Sequence, residues 1–532
     1  MGMSNAGTTA PSKPSLRREM SYLDLTMASL SGIVGSGWLF GAYYATSDAG
    51  PAAIFAWLFG AIAIGLMAFL YAELTGMLPA AGGVARYPNV SHGRVTSFII
   101  AWCAYLGGAA TPPIEAEAVM QYSSRYVPGL YANHSLTGRG FLVAIVLVIV
   151  LFLINYYGIK AFAWINTRLT LLKLTVPWLT VIVLAFFFKG RNFTIEGFAP
   201  HGLSGIMTAI STAGVIFALL GFRQAIDLAG EARRGHRDVP RAILTAIGVA
   251  TLLYFGLQIT FVGAVPTSLI QAHGWAGLKF TSPLANTAMI LGAGWLATLL
   301  FADAIVSPGA DTLVYLATAP RILYAMQRNG YMPKSFGRIH KQHRVPFVAL
   351  LVNLLIGMVF LVPFPSWQHM VGFISSAVVL SYLIGPVSAS VLRRTAPDAA
   401  RTFRVRGIKL WAPLAYIFAG LVVYWSGWPT DGYVLLILCI GFIFFAIHAV
   451  RSRIPAEEWR AAIWMMAYVV FLTLVSFLGS FGGIKAIVYP WDVLIVVVGS
   501  LIAFYWGVAS GIPTTESMQL NDRSIAVQEE GN

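Results

Sequence analysis

Long apolar runs dominate this chain, and fourteen of them can each cross a hydrocarbon core of ~30 Å. They lie near 22–45, 52–76, 95–122, 140–157, 161–188, 204–230, 242–264, 284–318, 347–363, 370–392, 408–427, 432–450, 461–481 and 491–511. In lipid every backbone polar group must be satisfied inside the protein, so runs of this length read as helices. The composition leaves no room for a soluble globule: 58% of residues are hydrophobic and 11% charged, with mean hydropathy +0.73.

Two of the runs are interrupted by glycine. The first interruption is Gly32-Ile33-Val34-Gly35-Ser36-Gly37; the second, five spans later, is Phe217-Ala218-Leu219-Leu220-Gly221. Broken backbone at membrane depth survives only where protein buries it or where it lines a wet cavity. Paired interruptions in two halves of a chain mark the binding site of a transporter. Spans one and six are an odd number of crossings apart, so their broken helices run in opposite directions. The expected architecture is therefore an all-α integral membrane protein with a five-plus-five inverted repeat and about four additional C-terminal helices. Its parts are a tail at 1–20, a first repeat at 21–190, a second at 203–394, accessory spans at 407–511 and a tail at 512–532.

A net charge of +14 invites a nucleic-acid reading, and its distribution argues against one. With the N-terminus inside, 26 of the 35 Lys and Arg fall in cytoplasmic segments and six in external loops. That asymmetry is the positive-inside pattern and predicts cytoplasmic termini on both ends of a multi-pass plasma (inner) membrane protein. Residues 1–20 hold Lys13, Arg17 and Arg18 and no removable signal sequence is read there. Cys103 and Cys439 lie in predicted spans, so neither a disulfide framework nor a cysteine metal site is expected. Asn133-His134-Ser135 has the form of a glycosylation sequon in an external loop, and the polar tail 512–532, with Glu529 and Glu530, reads as disordered.

Around the breaks the residues resemble a known family. Ser31 to Gly37 followed by an aromatic run is similar to the first helix of amino acid–polyamine–organocation permeases. Tyr71-Ala72-Glu73-Leu74 leading to Leu78-Pro79-Ala80-Ala81-Gly82-Gly83 resembles their second-helix signature. Gly221-Phe222, Gly230-Glu231 and Val239-Pro240-Arg241-Ala242-Ile243 resemble the sixth-helix exit. Arg321 to Ala325, Asn329-Gly330-Tyr331-Met332-Pro333 and Val345-Pro346 resemble the loop after the eighth. Gly197-Phe198-Ala199-Pro200, Gly294 to Leu299, Pro363-Phe364-Pro365-Ser366-Trp367 and Tyr424-Trp425-Ser426-Gly427-Trp428 are similar to the bacterial aspartate–proton symporter branch. The resemblance implies a leucine-transporter-like fold and uptake of an amino acid driven by protons.

The chemistry suits that implication. A zwitterion presents a carboxylate and an ammonium on one carbon. Amides freed around Gly35, Ser36 and Gly37 can donate to the carboxylate at the positive end of the next half-helix. Carbonyls freed near Ile33 and Val34 and along Phe217, Ala218, Leu219 and Leu220 can accept from the ammonium, while Gly221 allows close approach. Arg223 could fork onto a side-chain carboxylate, or pair with its i+4 neighbour Asp227.

Proton coupling requires a titratable group inside the membrane, where such residues are functional hypotheses by default. The resemblance places Lys173 where proton-coupled members carry a lysine in place of a sodium site. It lies about twelve residues into its span, roughly 18 Å, which is deep for the alternative of a lysine snorkelling to the cytoplasmic face. Asp303, roughly 22 Å from the inner end of helix eight, is the expected partner. Glu115 is the rival, counted toward the outside; Glu117 points about 200° away from it. Asp24, Glu73 and Glu231 are expected in salt bridges at cytoplasmic helix ends. HExxH, GxSxG, CxxC and Walker lysine motifs are absent, so neither enzyme nor metal or cofactor chemistry is expected. The expected partners are a small amino acid, protons and membrane lipid. Within this reading the choice lies between an acidic amino acid symporter and a neutral or broad symporter or antiporter.

Overall fold

The computed structural model describes residues 16–132, 135–157, 159–361 and 367–520. The outer parts of both tails, Lys13, the sequon residues Asn133 and His134, and Pro363 to Ser366 lie outside the described residues. Among the described residues the chain is almost entirely helical, the exception being two short antiparallel strands at Tyr131–Ala132 and Ser135–Leu136. Its α-helices are α1 (Tyr22–Ile33), α2 (Gly37–Ala49), α3 (Ala53–Met77), α4 (Gly83–His92), α5 (Arg94–Ser123), α6 (Gly138–Tyr156) and α7 (Ile159–Phe186). There follow α8 (Gly202–Thr212), α9 (Gln224–Asp227), α10 (Gly235–Ala264), α11 (Thr267–His273), α12 (Pro283–Ile290), α13 (Gly294–Arg328) and α14 (Phe347–Phe360). The last are α15 (Trp367–Tyr382), α16 (Ile384–Thr395), α17 (Ile408–Ser426), α18 (Thr430–Ser452), α19 (Ala456–Arg460), α20 (Ile463–Leu478) and α21 (Trp491–Ser510).

Each of the fourteen expected segments coincides with helix. Among the described residues, eleven helical runs are long and apolar enough to cross a membrane, or twelve with the bent pair Gly202–Thr212 and Phe217–Glu231 joined. The smaller number has a local cause. Gly37–Met77 forms one apolar run of 41 residues, which merges the second half of expected span one with span two. The other half, α1, has 12 residues, and α14 is also short. A boundary also moves: expected span eight divides, because Gly292 turns at φ +78° between α12 and α13. Helix α13 then runs to Arg328, ten residues beyond the expected end.

Local chemistry accounts for the start of α1. The Ser21 hydroxyl accepts from the Asp24 amide at 3.3 Å and the Asp24 carboxylate accepts from the Ser21 amide at 3.0 Å, a closed capping box. Packing separates the helices into two classes. The most apolar window of α5 is 94% buried and that of 370–395 is 100% buried, whereas those of α6, α18 and α21 are 28% buried. Since lipid is as apolar as leucine, the second group can face the bilayer along most of its surface. Helix α5 packs against both α13 and α15, α1 lies against α7, α10 and α13, and both breaks fall inside this core.

Candidate functional site

At the first break, residues 34–36 leave the helical path between α1 and α2. At the second, 213–216 unwind after α8, and the chain continues as a 3₁₀ helix over Phe217–Arg223 with a 44° bend. The unwound stretch therefore precedes the expected Phe217 to Gly221 segment. Gly214, which the sequence reading passes over, supplies the turn at φ +91°, and a Cβ there would lie 2.8 Å from the Trp367 ring. The breaks meet at Gly221, where a Cβ would collide with the backbone of Gly32 and Ile33.

Several freed carbonyls already have donors. Tyr254 donates to Ile33 O at 2.7 Å, Tyr382 to Leu220 O at 2.8 Å, and Ser29 to Phe222 O at 3.1 Å. Two of the carbonyls expected to receive the substrate ammonium are thus held by phenols. Val34, Gly35, Ser36, Gly37, Phe217, Ala218 and Leu219 are buried at the crossing.

Glu115 occupies the first break. The Ser36 amide donates to its Oε2 at 2.6 Å and the Ser36 hydroxyl to its Oε1 at 2.9 Å. Trp367 Nε1 donates to the same hydroxyl at 2.8 Å. Counting residues from the inner end of α5 sets Glu115 toward the outside and apart from the site, whereas it meets Ser36 at the first break. Helix α5 has 30 residues, roughly 45 Å at 1.5 Å each, so it exceeds the hydrocarbon thickness and its residue count is no measure of depth. Glu117, on another face, accepts from the Tyr131 hydroxyl at 3.4 Å.

Asp311 completes the cluster and is the residue that sequence reasoning missed. It is 2% exposed, its carboxyl meets that of Glu115, and both crowd the position a Cβ on Gly35 would take. Two carboxyls crowding one glycine repel each other as anions, which favours a proton on one of them. A signal was available: Asp311 lies eight residues, about two turns, from Asp303 on one helix.

Lys173 Nζ donates to Ser31 O at 2.7 Å and to Ser307 O at 3.3 Å, tying α7 to α1 and α13. It is fully buried, with the carboxyls of Asp311, Asp303 and Glu115 around it. Asp303 makes no direct ion pair with Lys173 among the described residues; it accepts from the Ser307 hydroxyl at 2.6 Å, so Ser307 links the two.

Arg223 sits 1% exposed on the 3₁₀ segment with Nε 3.1 Å from Asp227 Oδ2. Of the two alternatives open in the sequence, the i+4 ion pair is the arrangement present. Removing one partner of a buried pair leaves an uncompensated charge and costs about 3–5 kcal/mol. Arg223→Ala is accordingly expected to lower the melting temperature of the purified protein. Arg223→Met combined with Asp227→Leu should recover most of the melting temperature.

The end of the molecule that carries α4 is closed by ion pairs. Glu231 pairs with Arg321, and Glu73 accepts from Arg393 at 2.7 and 2.6 Å with Arg401 at 3.5 Å. Backbone bonds from Met20 N to Glu231 O (3.0 Å) and Arg233 N to Met20 O (2.9 Å) seal the start of α1 against this end. Asp24 departs from expectation: it caps α1 and accepts from Thr167 at 3.0 Å rather than meeting an arginine.

Comparison with known proteins places the sequence in a family. A family profile described as amino acid permease covers residues 20–446. The glutamate/serine transporter AimA of Bacillus subtilis is 39% identical over 531 residues, 97% of this chain and 98% of that protein. The aspartate-proton symporter of the same organism is 37% identical over 506 residues, 93% of this chain and 97% of its own. A branched-chain amino acid permease, BcaP, is 28% identical over 82% of this chain. These relatives are transporters and not enzymes. With two backbone breaks crossing in a buried polar core and this likeness along nearly its whole length, the chain belongs to the amino acid permease family of the amino acid–polyamine–organocation superfamily.

Proposed function

We propose that this multi-pass membrane protein imports an acidic amino acid, aspartate or glutamate, by proton symport, with alternating access around the two breaks. The observation that carries the reading is the Glu115 carboxylate on the Ser36 amide and hydroxyl. Those donors are the ones a substrate α-carboxylate requires. Carboxylate and substrate compete for them, so a proton delivered to Glu115 removes the competing charge and releases the amide. Asp311 stores and passes that proton, and Lys173 transmits the change of charge to the Ser31 and Ser307 carbonyls that hold α1. Asp303 steadies the far side of that contact through Ser307. Substrate binding and proton binding then favour each other by linkage.

The architecture proposed with it is the five-plus-five inverted repeat. Counting α1 with α2 as one broken span apart from α3, and α14 as a span, gives fourteen crossings, with α17 to α21 as the accessory set. Both termini face the cytoplasm of a plasma (inner) membrane, the orientation favoured by the Lys and Arg bias. Arg321, Arg393 and Arg401 then belong to a closed inner gate.

A second reading, a neutral amino acid symporter, has a specific observation in its favour: the Arg223 guanidinium already pairs through Nε with Asp227. Uptake of labelled aspartate, glutamate and serine into proteoliposomes separates the two. Accumulation of aspartate or glutamate that needs an inward proton gradient and acidifies the lumen supports the proposal. Serine accumulation without dicarboxylate uptake selects the neutral reading, and counterflow insensitive to the gradient selects exchange.

A further inference from the structure

At the end of the molecule away from α4, a cavity of about 790 Å³ opens between the C-terminal end of α5, the end of α2 and the segment around α12. Its floor is aromatic. Tyr44 stacks on Trp367 at 5.6 Å and 18°, and Trp367 donates to Ser36, so this cavity lies directly over the first break. Its walls carry two charged residues, Arg125 and Lys279, both exposed and neither in an ion pair among the described residues. Glu117 stays behind the wall, bonded to Tyr131.

We infer that this cavity is a cationic antechamber that gathers anionic amino acids, and that Arg125 and Lys279 are specificity-determining residues acting before the substrate reaches the breaks. The inference rests on the acidic amino acid reading above and locates its charge selectivity. An acidic amino acid carries a net negative charge at neutral pH, whereas serine carries none, so only the former responds to a cleft lined by one sign of charge. Among the described residues, both cations at the centre already have partners. Arg223 is held by Asp227, and Lys173 is held by two carbonyls among Asp303, Asp311 and Glu115. The described cations free to meet a second carboxylate on the way in are the two in the antechamber. They raise its local concentration above Trp367, and the field weakens as salt screens it.

Initial uptake rates of aspartate, glutamate and serine by wild type, Arg125→Ala with Lys279→Ala, and the charge-retaining pair Arg125→Lys with Lys279→Arg test this. Measurements at low and at high ionic strength are compared. For the alanine pair at low salt, KM for the dicarboxylates should rise about threefold to tenfold while kcat and serine uptake hold. High salt should close most of the gap, and the charge-retaining pair should behave as wild type. Unchanged KM for dicarboxylates in the alanine pair overturns the antechamber alone. Equal losses for serine and dicarboxylates overturn it too, as a general defect of the entrance. If wild type carries no dicarboxylate, the acidic reading falls and this inference with it.

Discussion

Glu115→Gln should abolish proton-driven accumulation of substrate while leaving counterflow intact. The glutamine amide oxygen can still accept from Ser36, so the local fold is kept, but the side chain no longer exchanges a proton. With one proton carried per substrate, each pH unit of gradient supports about a tenfold concentration ratio. Wild-type vesicles with two units of gradient should therefore concentrate substrate about a hundredfold, and the variant should stop near equality. Counterflow should persist and lose its pH dependence. Retained uphill transport by Glu115→Gln would remove Glu115 from the coupling path and leave Asp311 or Lys173 to carry it. Asp311→Asn provides that comparison, since Asp311 meets both Glu115 and Lys173 electrostatically.

The second large effect is steric. In Gly221→Ala the new methyl would enter the backbone of Gly32 and Ile33. A flexible side chain could turn aside, but a main chain held by the Tyr254 bond to Ile33 O cannot. Overpacking of this kind costs about 1–3 kcal/mol or more, and here it separates the two breaks themselves. We expect uptake to fall by at least about a hundredfold, because misplacing binding groups by 1 Å can cost that much. Gly248→Ala in α10 is the control: nothing lies within 4 Å of a Cβ there, and alanine favours a helix over glycine by about 1 kcal/mol. Uptake by Gly221→Ala near the wild-type rate would mean that the breaks need not touch in the working cycle.

Hydropathy, glycine placement and charge bias are properties of the linear chain, and they were enough to reach an all-α membrane protein with two interrupted helices and a family resemblance. Each of these signals is local: apolar length sets a span, and Gly35 with Ser36 and Gly37 sets a break. The positions where the reading failed share a cause. Depth counted along α5 misplaced Glu115, because counting assumes an upright helix no longer than the bilayer is thick. The second break moved back to 213–216, because Gly214 owes its role to the Trp367 ring, 153 residues along the chain. Asp311 was passed over because a carboxyl in an apolar helix acquires meaning only from what faces it.

What the sequence by itself determined was the solvent of the protein, lipid, and the elements able to exist in it, since backbone satisfaction in hydrocarbon leaves few alternatives. Only the tertiary structure decided which ionisable groups meet. Ser36 with Glu115, Glu115 with Asp311, and Lys173 with the Ser31 and Ser307 carbonyls join residues from four helices far apart in the chain. Pairings of that kind depend on distances of a few ångströms between segments, and no linear spacing encodes them.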